Sequence, residues 1–395
     1  MVFPILIYNM LIGIDIRTLM DSRYSGVSEY TLNLIKEILK LDNYNEYRLF
    51  YNSFNNCPNI PEFSGKNVKL VKYNYPNKIL NYLFFKFFNY PKIDKKLKVD
   101  IFFMPHINFI GLSSKVKKII TIHDLSFLRN PEFFSTRKNF WHSMIDVSRL
   151  LKKFDQIIAV SENTKRDIIE LCGIDSEKVK VIYSGISQEC RMIADPNSIE
   201  TKKLDEVKRK YNLSDKFILY LGTIEPRKNI IGIIRAYNQL RILDKRENCE
   251  LQDLKLIIAG GRGWKSKDIY KEQELSEYKD DIKFLGYIDF EDKVYLYNLA
   301  SVFIYPSFYE GFGFPLLEAM ACGTPVVASY SSSLPEVMGS AGLLVNPYNI
   351  NDIACAIKQI LSNKDLRDKL IKKGLKQASK FNWAKTATEY LKIAF

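Results

Sequence analysis

The sequence predicts an α/β fold built from two doubly wound, Rossmann-like domains. Its 395 residues correspond to about two to three domains of ordinary size. Short apolar runs alternate with helical patterns along the whole chain, which is typical of parallel sheets covered by helices on both faces. The alternation occurs in two sets, separated by a polar, charged stretch near 186–210.

The first set contains seven apolar or β-branched runs that predict strands. These are 11–14, 47–51, 68–71, 101–104, 118–122, 156–160 and 179–182. Apolar periodicity predicts helices at 27–40 and 162–171. Residues 1–9 precede the first predicted strand, so they are either an added segment or lie upstream of a start at Met10.

The second set predicts six strands, at 217–221, 254–259, 282–285, 302–305, 325–328 and 342–344, with helices at 230–243, 292–299 and 352–362. We therefore expect domains at 1–190 and 191–378. A last helix at 379–395 is expected to pack back on the first domain. Ligands of open parallel sheets bind at the carboxyl ends of the strands, so two facing domains predict one cleft.

Composition excludes several classes of protein. A hydrophobic fraction of 47% and a charged fraction of 26% exclude a disordered or fibrous chain. The sequence contains no uncharged apolar run of the roughly 18 residues needed to span a bilayer. The six cysteines are scattered, which argues against a zinc site or a disulfide framework and fits the cytoplasm. The net charge of +13 predicts an anionic partner.

The stretch 302–329 carries the strongest site signal. A predicted strand leads into Glu310-Gly311-Phe312-Gly313 and then a short helix with Pro315 in its first turn. Free amides at such a helix N-terminus bind anions, most often phosphate. Glu310 and Glu318, the latter expected in the first helical turn, would then bind hydroxyl groups, as a nucleotide or nucleotide sugar requires. The alternative is that Glu318 only complements the helix dipole and the glycines only form a turn.

Three other strand ends offer candidate residues. Arg227 and Lys228 follow the strand at 217–221 and suit a diphosphate, because Arg pairs with two oxygens and Lys adds a point charge. His123 follows the strand at 118–122, and Gly26 precedes the first long helix. The alternatives are that Arg227 and Lys228 form a solvated basic turn, that His123 is structural and that Gly26 is an ordinary loop glycine.

These motifs together resemble the family-4 retaining glycosyltransferases of the GT-B fold, and within them bacterial O-antigen and polysaccharide mannosyltransferases. The most specific match is the pair Glu310 and Glu318, separated by seven intervening residues, within YEGFGFPLLEAMACGTPVV. GTIEPRKN, AGGRGW, FLGYI and IHDLSF add to the resemblance. It covers the chain from about residue 11 to the final helix.

The resemblance implies a role for each matching residue. The expected catalytic residues are His123, Arg227, Lys228 and Glu310. The expected donor-binding residues are Gly26, Arg227, Lys228, Tyr287, Ile288, Glu310, Gly311, Phe312, Gly313, Leu317 and Glu318. The first domain would then be the acceptor side and the second the nucleotide-sugar side.

The resemblance also implies an activity. We expect retaining transfer of a sugar from a nucleotide diphosphate to a saccharide or lipid-linked saccharide, with no metal and no cofactor. GDP-mannose is the favoured donor, and UDP sugars remain an alternative. A non-catalytic nucleotide-binding protein at a membrane surface is the alternative from a different class.

The basic, aromatic stretch at 77–98 predicts a helix lying on an anionic membrane surface. The alternative is a core helix with a lysine fringe. No nucleic-acid motif accompanies these residues, so no nucleic-acid partner is expected. The expected location is cytoplasmic, with peripheral attachment to the inner face of the cytoplasmic membrane.

Overall fold

The computed structural model describes residues 9–20, 25–54, 60–76, 88–195, 198–247 and 252–394. Contacts divide the chain into two compact units. One comprises Met1–Leu125, Arg137–Gly185 and Asn382–Phe395, and the other comprises Ser126–Thr136 and Ile186–Phe381. The division falls after Gly185, whereas the sequence predicts it after residue 190. The chain also crosses to the second unit earlier, at Ser126–Thr136, which no periodic pattern announces.

The described strands are β1 (Leu11–Asp15), β2 (Glu46–Asn52), β3 (Val68–Tyr73), β4 (Ile101–Met104), β5 (Lys117–Ile122), β6 (Gln156–Ala159), β7 (Val179–Val181), β8 (Phe217–Leu221), β9 (Lys255–Ala259), β10 (Ile282–Gly286), β11 (Val302–Tyr305), β12 (Val326–Ser329) and β13 (Leu343–Val345). Each predicted strand is confirmed, with ends that agree within two residues.

The described helices are α1 (Gly26–Leu41), α2 (Ile93–Leu97), α3 (Ser126–Arg129), α4 (Thr136–Ile145), α5 (Val147–Leu151), α6 (Glu162–Cys172), α7 (Ile199–Lys210), α8 (Ile230–Glu247), α9 (Lys267–Glu274), α10 (Phe290–Leu299), α11 (Phe314–Ala321), α12 (Leu334–Met338), α13 (Ile350–Ser362), α14 (Lys364–Ala378) and α15 (Trp383–Ala394). The sequence reasoning missed α14. Its buried residues are only Leu370, Gly374 and Ala378, so its apolar periodicity is weak.

The first unit contains a seven-stranded parallel sheet in the order β3-β2-β1-β4-β5-β6-β7. Every residue of β4 is buried, as expected for a parallel strand covered on both faces. The α1 helix begins after Ser25, whose hydroxyl accepts a hydrogen bond from the Ser28 amide. These features confirm the doubly wound architecture of this unit.

The last helix, α15, belongs to the first unit and packs against α1. Lys117 of β5 donates from Nζ to the carbonyls of Ile393 and Ala394, at 2.7 and 3.0 Å, at the helix C-terminus. Tyr390 of α15 shares a buried hydrogen-bond network with Tyr30 of α1 and with Thr121 of β5, where the two oxygens are 2.5 Å apart. The final helix is therefore an integral part of the first unit.

The second unit contains a six-stranded parallel sheet in the order β10-β9-β8-β11-β12-β13. β8 and β11 are neighbours at its centre, and every residue of both is buried. Residues that follow these two strands therefore emerge side by side at one edge of the sheet. This adjacency brings together the loops that contain Arg227 and Glu310.

The predicted membrane-surface helix at 77–98 lies partly outside the described residues, which omit 77–87. In the remaining part, Ile93–Leu97 forms the short helix α2. Lys92 donates from Nζ to the Leu112 carbonyl at 3.0 Å, and Lys96 lies over the rings of Tyr73 and Tyr75. Within the described ranges, every helix is too short or too polar to cross a bilayer.

Candidate active site

The turn after β8 places two cationic side chains in a buried setting. Pro226–Lys228 forms a single 3-10 turn, which Asn229 ends in the left-handed conformation with φ of 56°. The Asn229 side-chain amide donates to the carbonyls of Pro306 and Pro347, at 3.2 and 2.7 Å, and fixes the turn against two other loops. The Lys228 side chain is 9% exposed and that of Arg227 is 13% exposed. The turn is therefore not a solvated basic turn.

Glu310, from the loop after β11, bridges these two cations. Its Oε1 lies 2.5 Å from Lys228 Nζ, and its Oε2 lies 3.3 Å from Arg227 Nη1. Arg227 also donates to the carboxylate of Glu225, at 2.9 and 3.0 Å, and to the Tyr309 carbonyl at 2.8 Å. Two carboxylates thus compensate two cations, whereas the sequence predicts the cations only as contacts of a diphosphate.

Electrostatics hold this cluster in its ionised form. Burial raises the pKa of Glu310, but the charges of Lys228 and Arg227 lower it further, so its pKa ends below the ordinary value. Burial lowers the pKa of Lys228, and the Glu310 carboxylate offsets part of that effect. The phenol of Tyr305 accepts a hydrogen bond from Lys228 Nζ at 2.8 Å. The cluster is largely buried and held by several hydrogen bonds, which is the setting in which charges act strongly.

The loop after Glu310 leads directly into the N-terminus of α11. Gly313 precedes this helix with φ of 102°, and a Cβ atom there would lie 2.7 Å from Leu334 Cδ2. The Ser333 hydroxyl donates to the carbonyls of Glu310 and Phe312, at 2.9 and 3.1 Å. The constrained turn therefore places the positive end of the α11 helix dipole at the predicted anion site.

Glu318 lies in the second turn of α11, so its predicted position in the first turn is wrong. The helix begins at Phe314, four residues earlier, and the dipole explanation for Glu318 therefore fails. Its carboxylate is buried and bonded on both oxygens, to Tyr297 OH at 2.8 Å and to Lys293 Nζ at 3.2 Å. Sequence reasoning missed Lys293 and Tyr297, although their spacing of four residues places them on one face of α10.

The remaining donor-site candidates of the second unit differ in exposure. Tyr287 and Ile288 directly follow β10, and they are 47% and 6% exposed. Gly311 and Phe312 are buried in the loop before α11. Leu317 is fully buried in the core of the unit, so its side chain supports α11 and does not reach a ligand.

The first unit places His123 directly after β5. Its Nε2 donates to the Pro105 carbonyl at 2.8 Å, and its ring meets that of Tyr30 edge-on, with centroids 4.6 Å apart. Burial lowers the pKa of His123, opposed by the Pro105 hydrogen bond and the charge of Asp124. A neutral ring that donates through Nε2 keeps Nδ1 as an acceptor. Gly26 is the first residue of α1.

A second polar cluster lies at the strand ends of the first unit. The sequence offers His106 as a further candidate, because it follows a predicted strand as His123 does, but it gives no signal for Asp15 and Arg17. Asp15, which ends β1, is fully buried and pairs with Arg17 through hydrogen bonds of 2.6 to 3.1 Å. His106 follows β4, and its Nδ1 has no hydrogen-bond partner among the described residues. Burial lowers the pKa of His106 to about 4, with Asp15 opposing the shift.

No group of three or more His, Cys, Asp or Glu in the described part of the chain has a metal-binding arrangement.

Two family models match the chain. The model for glycosyl transferases group 1 matches residues 202–377, and the model for glycosyltransferase family 4 matches residues 24–189. O-antigen chain mannosyltransferase B of Escherichia coli is 34% identical over 294 residues, which cover 73% of this chain and 71% of that protein. The serotype-specific mannosyltransferase WbdA of Escherichia coli is 32% identical over 69% of this chain, a match that spans 32% of WbdA.

The fold has relatives among solved structures as well. HepE of Anabaena, in complex with UDP and glucose, aligns with a TM-score of 0.70 at 18% identity, over 98% of this chain and 99% of that one. At this identity the likeness concerns the fold alone. The family models and the mannosyltransferase relatives establish more than the fold: the chain is a glycosyltransferase that belongs to group 1, family 4, with the GT-B architecture.

Proposed function

We propose that this glycosyltransferase moves mannose from GDP-mannose to a saccharide or lipid-linked saccharide during synthesis of a surface polysaccharide or glycolipid. The relatives at 34% and 32% identity are named mannosyltransferases, which favours mannose. The observation that carries the proposal is the Glu310 carboxylate held between Arg227 and Lys228 beside the N-terminus of α11. This arrangement suits a sugar linked to a diphosphate.

The proposed chemistry follows from the charge that develops in the reaction. When the bond from the sugar to the diphosphate breaks, negative charge grows on the departing phosphate oxygens. Arg227 and Lys228 add positive charge beside these oxygens, and the N-terminus of α11 adds aligned dipoles. Fixed donors in a dry site stabilise such charge without reorganisation. In this proposal these groups suffice, and neither a metal nor a cofactor takes part.

Glu310 is proposed to bind hydroxyl groups of the donor sugar rather than to attack it. Each of its oxygens already faces a cation, which lowers the nucleophilicity of the carboxylate and fixes its orientation. Retention would then follow if the acceptor attacks from the face that the diphosphate leaves. Glu318 would bind the ribose hydroxyls, and Tyr287 and Ile288 the base. His123 and Gly26 remain proposed donor contacts from the first unit.

A UDP sugar is the alternative donor, and HepE, which shares the fold, was solved with UDP and glucose. A non-catalytic nucleotide-binding protein is the second alternative, and it predicts binding without turnover. The proposed place of action is the cytoplasmic face of the membrane, where a lipid-linked acceptor would be found.

Thermal shift with GDP, UDP and dTDP tests the donor site directly. A ligand at 100 times its Kd adds roughly 2.7 kcal/mol of stability. We expect the largest shift with GDP, and its loss in Arg227→Met and Glu318→Gln. Arg235→Met is the matched control, because Arg235 forms an exposed ion pair with Glu272 away from the cluster.

Transfer of radiolabelled mannose from GDP-mannose to lipid extracts and mannose oligosaccharides then tests turnover. No shift with any nucleotide in folded protein would refute the donor-site assignment. A shift with UDP alone would replace the mannose proposal with the UDP-sugar alternative. A GDP shift without transfer to any acceptor would support the non-catalytic alternative.

A further inference from the structure

Three aromatic rings form a row beside the donor site of the second unit. Phe133 and Phe308 stack with centroids 5.5 Å apart and an interplanar angle of 13°. Phe308 and Tyr348 continue the row, with centroids 4.8 Å apart and an angle of 33°. We call these three residues the aromatic row. Sequence analysis singled out none of them.

The row is firmly attached to the turn that contains the two cations. The Phe308 amide donates to the Arg227 carbonyl at 2.9 Å. The loop that holds Tyr348 is bonded to the same turn, because Asn229 donates to the Pro347 carbonyl at 2.7 Å. The Tyr348 amide itself donates to Asn346 Oδ1 at 3.0 Å. The backbone on both sides of the row is therefore fixed to the diphosphate turn.

The far end of the row is open to solvent. Tyr348 is 74% exposed, although its backbone is anchored, while Phe308 and Phe133 are partly buried. A large ring left mostly in solvent gains little from burial, so the fold does not need it there. Exposed aromatic side chains on fixed loops at strand ends are typical of binding surfaces.

The order of strands in the sheet shows on which side of the proposed donor Tyr348 lies. The proposed base contact Tyr287 follows β10 at one edge of the sheet, and Tyr348 follows β13 at the opposite edge. The diphosphate turn follows β8, between them. Neighbouring strands are about 4.8 Å apart, so three strand steps separate β8 from β13 by roughly 14 Å. A donor with its base at β10 and its phosphates at β8 has its sugar on the β11 side, toward Tyr348.

We propose that the aromatic row is a saccharide subsite in which the exposed ring of Tyr348 stacks on a pyranose of the acceptor chain. A pyranose has an apolar C–H face, which matches the flat apolar face of a tyrosine ring. The subsite would hold a sugar beyond the one that reacts. This inference rests on the proposed function, because it takes the sugar end of the donor to lie on the β11 side.

The test compares Tyr348→Ala and Tyr348→Phe with a matched control. Tyr44 is also strongly exposed, at 62%, but it precedes β2 in the first unit, at the amino ends of the strands. Tyr44→Ala therefore removes an equivalent ring from the edge where ligands of parallel sheets do not bind. Thermal shift with GDP and UDP verifies that each variant is folded and binds nucleotide like the wild type.

Steady-state transfer is measured with single sugars and with tri- and pentasaccharides of mannose, glucose and galactose. Tyr348→Ala is expected to raise KM for the longer acceptors roughly five- to tenfold, the loss typical of one aromatic stacking contact. KM for the donor, KM for single sugars and kcat are expected to stay unchanged, and Tyr348→Phe to behave as the wild type. Equal KM values in Tyr348→Ala and Tyr44→Ala for every acceptor would overturn the inference.

Saturation-transfer NMR with the same oligosaccharides provides a readout that does not need turnover. The expected result is contact to pyranose C–H protons in the wild type and its loss in Tyr348→Ala. If no donor supports transfer but this contact is seen, the proposed function fails and the saccharide subsite stands. If transfer occurs and no contact depends on Tyr348, the subsite fails and the proposed function stands.

Discussion

The ion pair between Lys293 and Glu318 gives the sharpest prediction about the nucleotide site. Lys293→Met keeps the length of the side chain but removes its charge from a site where the Lys and Glu side chains are 16% and 7% exposed. Among the residues that the structure describes, Tyr297 is then the remaining hydrogen-bond partner of the Glu318 carboxylate. A buried carboxylate that loses its cation destabilises the folded state, because water no longer solvates it.

The geometry sets the magnitude. Two unit charges 3.2 Å apart interact by about 5 kcal/mol at an effective dielectric constant of about 20. Desolvation of the lysine offsets roughly half of this, so we expect a coupling energy of about 2–3 kcal/mol. Lys293→Met alone is expected to lower the free energy of unfolding of the second unit by about 3 kcal/mol.

A double-mutant cycle of Lys293→Met and Glu318→Gln measures the coupling. The chain contains three tryptophans, and Trp264 is the one in the second unit. Replacing Trp141 and Trp383 with Phe makes Trp264 fluorescence during urea denaturation a reporter of that unit. The double variant is expected to be more stable than the sum of the single effects predicts, because no buried charge is left without a partner.

The more exposed pair Arg235–Glu272, also in the second unit, is the control for this cycle. Its atoms are 2.7 Å apart, closer than the buried pair, but the side chains are 56% and 22% exposed. Its coupling energy is expected to stay below about 1 kcal/mol. A coupling below that value for Lys293 and Glu318 as well would refute the reasoning, since it would mean that water screens both pairs equally.

Two further predictions concern the first unit. Tyr390→Phe removes the hydroxyl that contacts the hydroxyls of Tyr30 and Thr121. We expect the free energy of unfolding, measured by thermal denaturation, to fall by about 1–3 kcal/mol, because two buried hydroxyls lose a partner. A loss equal to that of an exposed Tyr44→Phe control would contradict this network. For His106, the folded pKa is lowered to about 4, so the unfolded chain binds the proton first. The contribution of the neutral His106 to the free energy of unfolding is then fully present above a pH of about 6.5, and it falls by about 3 kcal/mol toward pH 4. His106→Gln should remove this part of the pH dependence, and an unchanged slope would show that His106 does not cause it.

Local sequence determined the elements and the candidate residues. The apolar runs at 217–221 and 302–305 become strands wherever they are placed, because their side chains are apolar on both faces. Glycine at 313 and proline at 315 mark the start of α11 by backbone preference alone. The same local chemistry placed Arg227 and Glu310 at strand ends before their contacts were known.

The order of strands was decided by tertiary structure. Arg227 and Glu310 are 83 positions apart, and they meet because β8 and β11 pair as neighbours in the sheet. Periodicity within one strand contains no information about its neighbour. The sequence therefore predicted two cations and a carboxylate, but not that the carboxylate compensates the cations.

Long-range packing also explains the residues that were missed. Lys293 looks like an ordinary surface lysine of α10, and its role appears only when α11 brings Glu318 within 3.2 Å. The segment Ser126–Thr136 has no strong periodicity, yet it joins the second unit through Phe133 and through Phe134, which stacks on Trp264. Sequence alone thus determined the strands, the helices and most donor-site candidates, because these depend on local preference and burial pattern. Only the tertiary structure decided which charges pair and which rings stack, because those contacts join residues that the chain keeps far apart.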